Sequence, residues 1–93
     1  MDLRDALIDW DDPDDEASNT AHIAEHGLTP EGVESALFDE ETTFDVSDSS
    51  GRPIAFGNTD TGRFIAVVFE VLNLADPLIL RPITAYDVPE PKE

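Results

Sequence analysis

Hydrophobic and polar positions divide the chain into a first half with helical spacing and a second half with the alternation of strands. The longest apolar run covers residues 63–71 and is rich in β-branched and aromatic side chains, which favour a pleated sheet. Successive side chains of a strand point to opposite faces of the sheet, and here both sets are apolar. The run therefore predicts a central strand that is covered on both faces.

The other predicted strands are shorter and are bounded by turn residues; they cover residues 7–10, 42–46, 53–57 and 78–86. Pro82 lies inside the last of them and cannot donate to the hydrogen-bond ladder. It therefore indicates either an edge strand or a local irregularity. A turn with Asp48 and Gly51 is predicted between the second and third strands.

Two helices are predicted between the first and second strands. Asp12 caps the first helix, Pro13 takes its first position, and the helix ends at about His26, before Gly27. Its buried stripe is predicted to consist of small residues at helical spacing, namely Ala17, Ala21 and Ala24. The second helix begins at Thr29-Pro30 by the same capping pattern, and its predicted apolar face is Val33, Ala36 and Leu37.

Two helices followed by an antiparallel meander of about four strands predict an α+β fold with the helices packed on one face of the sheet. A chain of 93 residues is long enough for one hydrophobic core. We expect a single domain over residues 1–88, followed by a short proline-rich tail over residues 89–93.

Charge narrows the choice of partners. The chain has 22 acidic residues against five Lys and Arg, a net charge of −17, and 16 of the acidic residues lie in residues 1–50. The negative electrostatic potential of such a chain repels nucleic acid and anionic membranes unless a local basic patch is present. One interpretation is a solvated acidic surface, as in a salt-adapted or generally acidic proteome; the other is an acidic face that binds a basic partner protein.

The composition excludes cysteine chemistry. With no cysteine there are no disulfides, no thiolate nucleophile and no cysteine-ligated zinc. The first residues lack the basic and apolar regions of a signal peptide, and no apolar run reaches transmembrane length. We therefore expect a soluble, cytoplasmic protein without a membrane partner.

One motif is compatible with metal binding. His22 and His26 are four residues apart and, with Glu25, give the H-x-x-E-H order of one metallopeptidase class. Asp15 and Asn19 fall on the same helical stripe and make a third ligand conceivable. The simpler interpretation is a polar helix face with His26 near the negative end of the helix dipole. We expect no metal and no cofactor, and a zinc site at the two histidines stays the minor alternative.

Three arginines stand out in a chain so poor in basic residues. Arg52 follows a turn, Arg63 opens the central strand, and Arg81 lies in the last strand near Tyr86. Guanidinium groups bind phosphate oxygens bidentately, and a tyrosine can stack on a base or transfer a proton. The alternative is that each arginine forms an ion pair with one of the many carboxylates.

A series of short motifs runs in order through residues 8–87: Trp10-Asp11, Asn19, His26-Gly27-Leu28, Phe38, Gly51-Arg52, Gly57-Asn58-Thr59, Gly62-Arg63-Phe64 and Arg81-Pro82-Ile83-Thr84-Ala85-Tyr86. In this order and spacing the chain resembles the BrnT family, toxins of type II toxin–antitoxin modules with a RelE-like fold. It departs from the family in three respects. Tyr86 stands where the final motif of the family has an arginine, and the lysines common in the first helix of the family are absent. Pro89 and Pro91 replace the usual C-terminal helix.

The resemblance implies a metal-independent endoribonuclease that a ribbon-helix-helix antitoxin holds inactive, so the expected partners are an antitoxin protein and RNA. Such cleavage uses the 2′-hydroxyl as nucleophile and requires positive charge and a proton-transfer group. The matching positions assign these roles to a set of five residues: Arg52, Arg63, Arg81, Tyr86 and His26. The alternative is a catalytically degenerate RelE-like module that binds a partner protein.

Overall fold

Five strands and two helices form the fold in a computed structural model that describes residues 6–12, 14–39, 41–46 and 51–89. In chain order the elements are β1 (Leu7–Ile8), α1 (Asn19–Glu25), α2 (Pro30–Phe38), β2 (Thr43–Val46), β3 (Pro53–Asn58), β4 (Phe64–Asn73) and β5 (Ile79–Asp87). The strand order in the sheet is β1-β5-β4-β3-β2. The predicted α+β class is confirmed.

The sheet differs from the predicted four-stranded antiparallel meander. Strands β2 to β5 form that meander, but β1 adds a fifth strand, which runs parallel to β5 with Leu7 opposite Ile79. The described sheet is therefore mixed. Residues 7–10 contain a strand pattern of only a few residues, and so short a pattern carries no information about which strand it joins or in which direction.

The run predicted as the central strand forms β4, which begins at Phe64, one residue after Arg63, and is the middle strand of the sheet. Ile65, Val67 and Phe69 are at most 1% exposed and belong to the core cluster that the helices cover. Ala66 and Val68 alternate with them on the opposite face and are also buried. On this second face Phe56 and Tyr86 flank Ala66 in the register. Both helices pack on the first face, and no described helix or strand lies over the second.

The predicted start of the first helix is wrong. Helix α1 begins after Ser18, whose Oγ accepts a hydrogen bond from the N–H of Ala21 at 3.0 Å. Asp12 instead accepts from the N–H of Asp14, and turns follow up to Ser18. Side chains of consecutive aspartates bond to nearby backbone groups and so favour turns over helix. Pro13, the predicted first helical position, lies outside the described residues.

The predicted alanine stripe is also wrong. Ala17 precedes α1 and is exposed, as is Ala24, while Asn19 and Ile23 are the buried residues of the helix. The prediction that Asn19 lies on a polar helix face is wrong for the same reason, because Asn19 is buried. The one large apolar side chain of α1 is Ile23, and its burial fixes the rotation of the helix, because burying it releases more free energy than burying an alanine.

Helix α2 and strand β5 agree with their predictions. Thr29 caps α2, with Pro30 at its first turn, and the apolar face is buried: Val33, Ala36 and Leu37. In β5 the register with β4 shifts between Val68 and Phe69, opposite Pro82, which confirms the local irregularity. The predicted turn at Asp48 and tail residues 90–93 lie outside the described residues.

Candidate functional site

Arg63 closes the C-terminal end of α1. Gly27 follows the C-cap His26 at a φ of 72°, and the N–H groups of Gly27 and Leu28 bond back to the last turn. This left-handed ending leaves the carbonyls of His26 and Gly27 without helical partners. Arg63 donates to both, from Nη2 to His26 at 2.9 Å and from Nη1 to Gly27 at 2.7 Å.

The same guanidinium forms an ion pair with Asp87, near the end of β5. Nε and Nη2 of Arg63 donate to the two carboxylate oxygens at 2.9 and 2.5 Å. The hydrogen bonds from Arg63 lower the pKa of the Asp87 carboxyl, and those same bonds raise the pKa of Arg63. The positive charge of Arg63 is thus matched by a carboxylate of the same chain.

His26 and Tyr86 lie beside this ion pair. Their ring centroids are 6.3 Å apart with the planes tilted by 55°, and the Asp87 carboxylate follows Tyr86 directly in β5. The structure therefore brings together three of the five residues that the resemblance singles out: His26, Arg63 and Tyr86. An imidazole and a phenol are groups that can transfer protons. The cleft on the α2 side of Arg63 contains Asp60, another carboxylate.

Arg81 forms a second, separate cluster. Its Nη1 and Nη2 donate to the two oxygens of Asp11 at 2.8 and 2.6 Å, and Nη1 also reaches Asp9 at 3.1 Å. Hydrogen bonding to Arg81 lowers the pKa of Asp11, and an additional bond from the backbone N–H of Asn19 acts in the same direction. The paired carboxylates raise the pKa of Arg81, which stays fully charged.

Asn19 holds this cluster against the core. It is 4% exposed; its Nδ2 donates to the carbonyls of Asp9 at 2.9 Å and Pro82 at 2.8 Å. Its Oδ1 accepts from the N–H of Asp11 at 2.9 Å. One amide therefore ties the first turn of α1 to the segment after β1 and to the irregular part of β5.

Arg52 is paired as well, and with a different element. Its Nε donates to Glu70 of β4 at 3.0 Å, and Glu70 lies opposite Arg81 in the register of β4 and β5. Arg63 and Glu70 are seven positions apart along one strand, which corresponds to roughly 23 Å. The five candidate residues thus fall into two groups, with Arg52 and Arg81 toward the other end of the sheet from Arg63.

The structure places His22 and His26 at the exposed end of α1. His26 is the C-cap of the helix. Across the described residues, no three His, Asp or Glu side chains are placed to hold a metal ion. Likewise, none of the described helices has the length and apolar character needed to cross a membrane.

Sequence reasoning did not identify the carboxylates that bind the arginines, nor Asn19 as the amide that holds the Arg81 cluster in place. The carboxylates are Asp9, Asp11, Glu70 and Asp87. Asp11 and Asn19 belong to the motifs that carry the family resemblance, but no pairing with Arg81 followed from them. The other three are few among 22 acidic residues, and no local pattern distinguishes them.

Comparison with known proteins found no matching family model, no matching curated protein and no matching solved structure.

Proposed function

We propose that this chain is a non-catalytic, protein-binding component of a BrnT-like toxin–antitoxin module and that its partner is a basic protein. One observation carries the proposal: each arginine of the described residues is bound by carboxylates of the same chain. Arg52 pairs with Glu70, Arg63 with Asp87, and Arg81 with Asp9 and Asp11. A ribonuclease needs such groups for the phosphates of its substrate.

Electrostatics favours a basic partner over RNA. Internal ion pairs engage the three described arginines, and the chain as a whole carries a net charge of −17. A surface potential of that sign accelerates association with a basic protein and opposes approach of a polyanion. The order of the elements, two helices followed by an antiparallel meander, supports the proposal because it is compatible with the RelE-like fold that the resemblance implies.

The test is co-expression with the product of the adjacent reading frame, followed by size-exclusion chromatography with light scattering. We expect a stable complex whose Kd rises with salt, because ion pairing contributes to its formation. The same preparation is incubated with a fluorogenic RNA and should leave it intact at every salt concentration. Absence of the complex, or RNA cleavage that copurifies with the chain, would overturn the proposal.

A second candidate function is RNA cleavage at His26, Arg63 and Tyr86, because the structure brings these three residues together. In this reaction one group removes the proton of the 2′-hydroxyl, the 2′-oxygen attacks the phosphorus, and the P–O5′ bond breaks as the leaving oxygen takes up a proton. One of His26 and Tyr86 would accept the proton of the 2′-hydroxyl, and the other would donate a proton to the leaving 5′-oxygen. Arg63 would stabilise the negative phosphorane after exchanging Asp87 for the phosphate.

The second candidate is tested with variants that preserve packing. Tyr86→Phe keeps the ring beside His26 but removes the hydroxyl, and His26→Gln keeps a polar side chain at the C-cap. Each should lower the rate of cleavage by at least about 100-fold if its group transfers a proton. Arg52→Gln, at the other end of the sheet, is the matched control and should retain the rate.

A further inference from the structure

Strand β2 is an edge of the sheet with apolar side chains in solvent. No described strand lies beyond it, and all four of its residues are exposed. Phe44 is 40% exposed and Val46 is 59% exposed. Edge strands in native proteins usually carry lysine, proline or a bulge that prevents further pairing, because their outer N–H and C=O groups can template another strand. Here both apolar residues lie at the open edge.

The hydrogen bonds between β3 and β4 determine which backbone groups of β2 point away from the sheet. The N–H of Thr59 donates to Arg63 at 2.8 Å, which continues the β3–β4 ladder beyond both strands. Residues 55 and 57 have the same parity as Thr59 and therefore bond toward β4, so residues 54 and 56 bond toward β2.

The partners of residues 54 and 56 in β2 are Asp45 and Thr43, which consequently point their N–H and C=O groups inward. Phe44 and Val46 alternate with them and present these groups outward. A contact of Val46 agrees with this assignment, because its N–H donates to the side chain of Asp45 at 2.8 Å rather than to β3. The outer edge of β2 therefore offers a backbone template at Phe44 and Val46, where an added strand would replace the Asp45 side chain as the partner of the Val46 N–H.

The charge around this edge selects among possible occupants. Among the described residues 39 and 41–46, three are acidic, Asp39, Glu41 and Asp45, and none is basic; Asp45 lies within the strand. A second copy of the chain paired on this edge would bring the two acidic segments together, and like charges placed opposite each other are destabilising. A strand with lysine or arginine side chains would instead face carboxylates.

We infer that the outer edge of β2 binds an extended segment of a partner protein in which basic and apolar side chains alternate. The segment would add to the sheet beside β2, with its backbone bonded to Phe44 and Val46. Its apolar side chains would cover those of Phe44 and Val46, on the face that also holds Ala55. Its basic side chains would lie beside Asp45 on the opposite face. This inference rests on the proposed function, since it assigns the surface that the basic partner uses.

The probe is a nine-residue peptide of alternating lysine and valine, with a glutamate–valine peptide of equal length as its control. Hydrogen exchange of the full chain, followed by NMR, reports which amides the peptide protects. We expect the lysine peptide to protect the amides of Phe44 and Val46 and the glutamate peptide to protect neither.

Val46→Pro removes an outward N–H without removing a bond to β3, and should weaken binding at least about fivefold. Leu74→Ala changes an exposed apolar residue elsewhere and should leave the affinity unchanged.

Other results separate this inference from the proposed function. If the lysine peptide protects other amides, or does not bind while the partner protein still forms its complex, the β2 edge is excluded and the proposed function stands. If the chain dimerises and protects the same two amides without peptide, the occupant is a second copy and the inference is overturned. Failure of the partner complex itself overturns the proposed function.

Discussion

Arg81 binds Asp11 through both terminal nitrogens of its guanidinium, at 2.8 and 2.6 Å, and so joins β5 to the segment that follows β1. The hydrogen bonds lower the pKa of Asp11 below its value in the unfolded chain. The folded state therefore favours the ionised carboxyl. The stabilisation is complete above the unfolded pKa of about 3.9 and is lost as the pH falls through the lower folded pKa.

Asp11→Asn should accordingly lower the free energy of unfolding at neutral pH, and the difference from the parent chain should shrink in acid. Urea unfolding near pH 7 and at several values below about pH 4 measures this difference. Asp14→Asn removes one charge from an exposed position of the same acidic segment and is the control. A difference for Asp11→Asn that stays constant with pH would show that ionisation of Asp11 does not contribute.

Gly57 allows α2 to lie directly on β3. A Cβ at this position would be 2.3 Å from the carbonyl oxygen of Ala36 and 2.9 Å from Oγ1 of Thr42. Gly57→Ala should therefore displace the helix and lower the free energy of unfolding by about 1–3 kcal/mol, measured by urea denaturation. Gly51→Ala is the control for backbone strain alone, since its φ is 71° and no atom lies within 4 Å of its Cβ position. A smaller loss at Gly57 than at Gly51 would contradict the close packing.

Most of the sheet could be predicted because apolar and polar residues alternate along the C-terminal half of the chain, a pattern typical of strands. The core of β4 follows from seven apolar residues between positions 63 and 71, and Pro82 indicated the irregularity found in β5. The start of α1 could not be predicted in this way. Carboxylates after Asp12 fit the first turn of a helix and also fit consecutive turns, and the burial of Ile23 with Asn19 decided between them.

The sequence indicated the arginines of the candidate site, but it did not indicate the carboxylates that bind them. Arginines are rare in this chain, so each is conspicuous in the sequence. Arg63 and His26 come together because the start of β4 lies beside the end of α1. Which carboxylate binds each arginine depends on pairs up to 72 residues apart, such as Asp9 with Arg81. Separations of that size are set by the tertiary fold and leave no local pattern.

The net charge of −17 should make stability depend on salt. Repulsion between carboxylates destabilises the compact state, and salt screens it. Raising the salt concentration from about 10 mM to about 0.5 M should raise Tm by at least about 4 °C, the shift that roughly 1 kcal/mol produces in a small domain. Glu25→Lys, at the exposed last turn of α1, should raise Tm at low salt and reduce this dependence, because it removes repulsion and suits the helix dipole. A Tm that is independent of salt in both proteins would contradict the prediction.

Comparing Asn19 with Asn73 separates the effect of burial on stability from the effect of hydrogen bonding. Each donates from Nδ2 to a proline carbonyl, Asn19 to Pro82 at 2.8 Å in a buried position and Asn73 to Pro77 at 2.7 Å in an exposed one. Asn19→Ala should lower the free energy of unfolding by about 2–4 kcal/mol, since buried backbone groups lose their partners, whereas Asn73→Ala should cost less than about 1 kcal/mol because water replaces the amide. Urea unfolding of both variants measures the contrast. Equal losses would mean that Asn19 is not the tie between α1 and β5 that its contacts indicate.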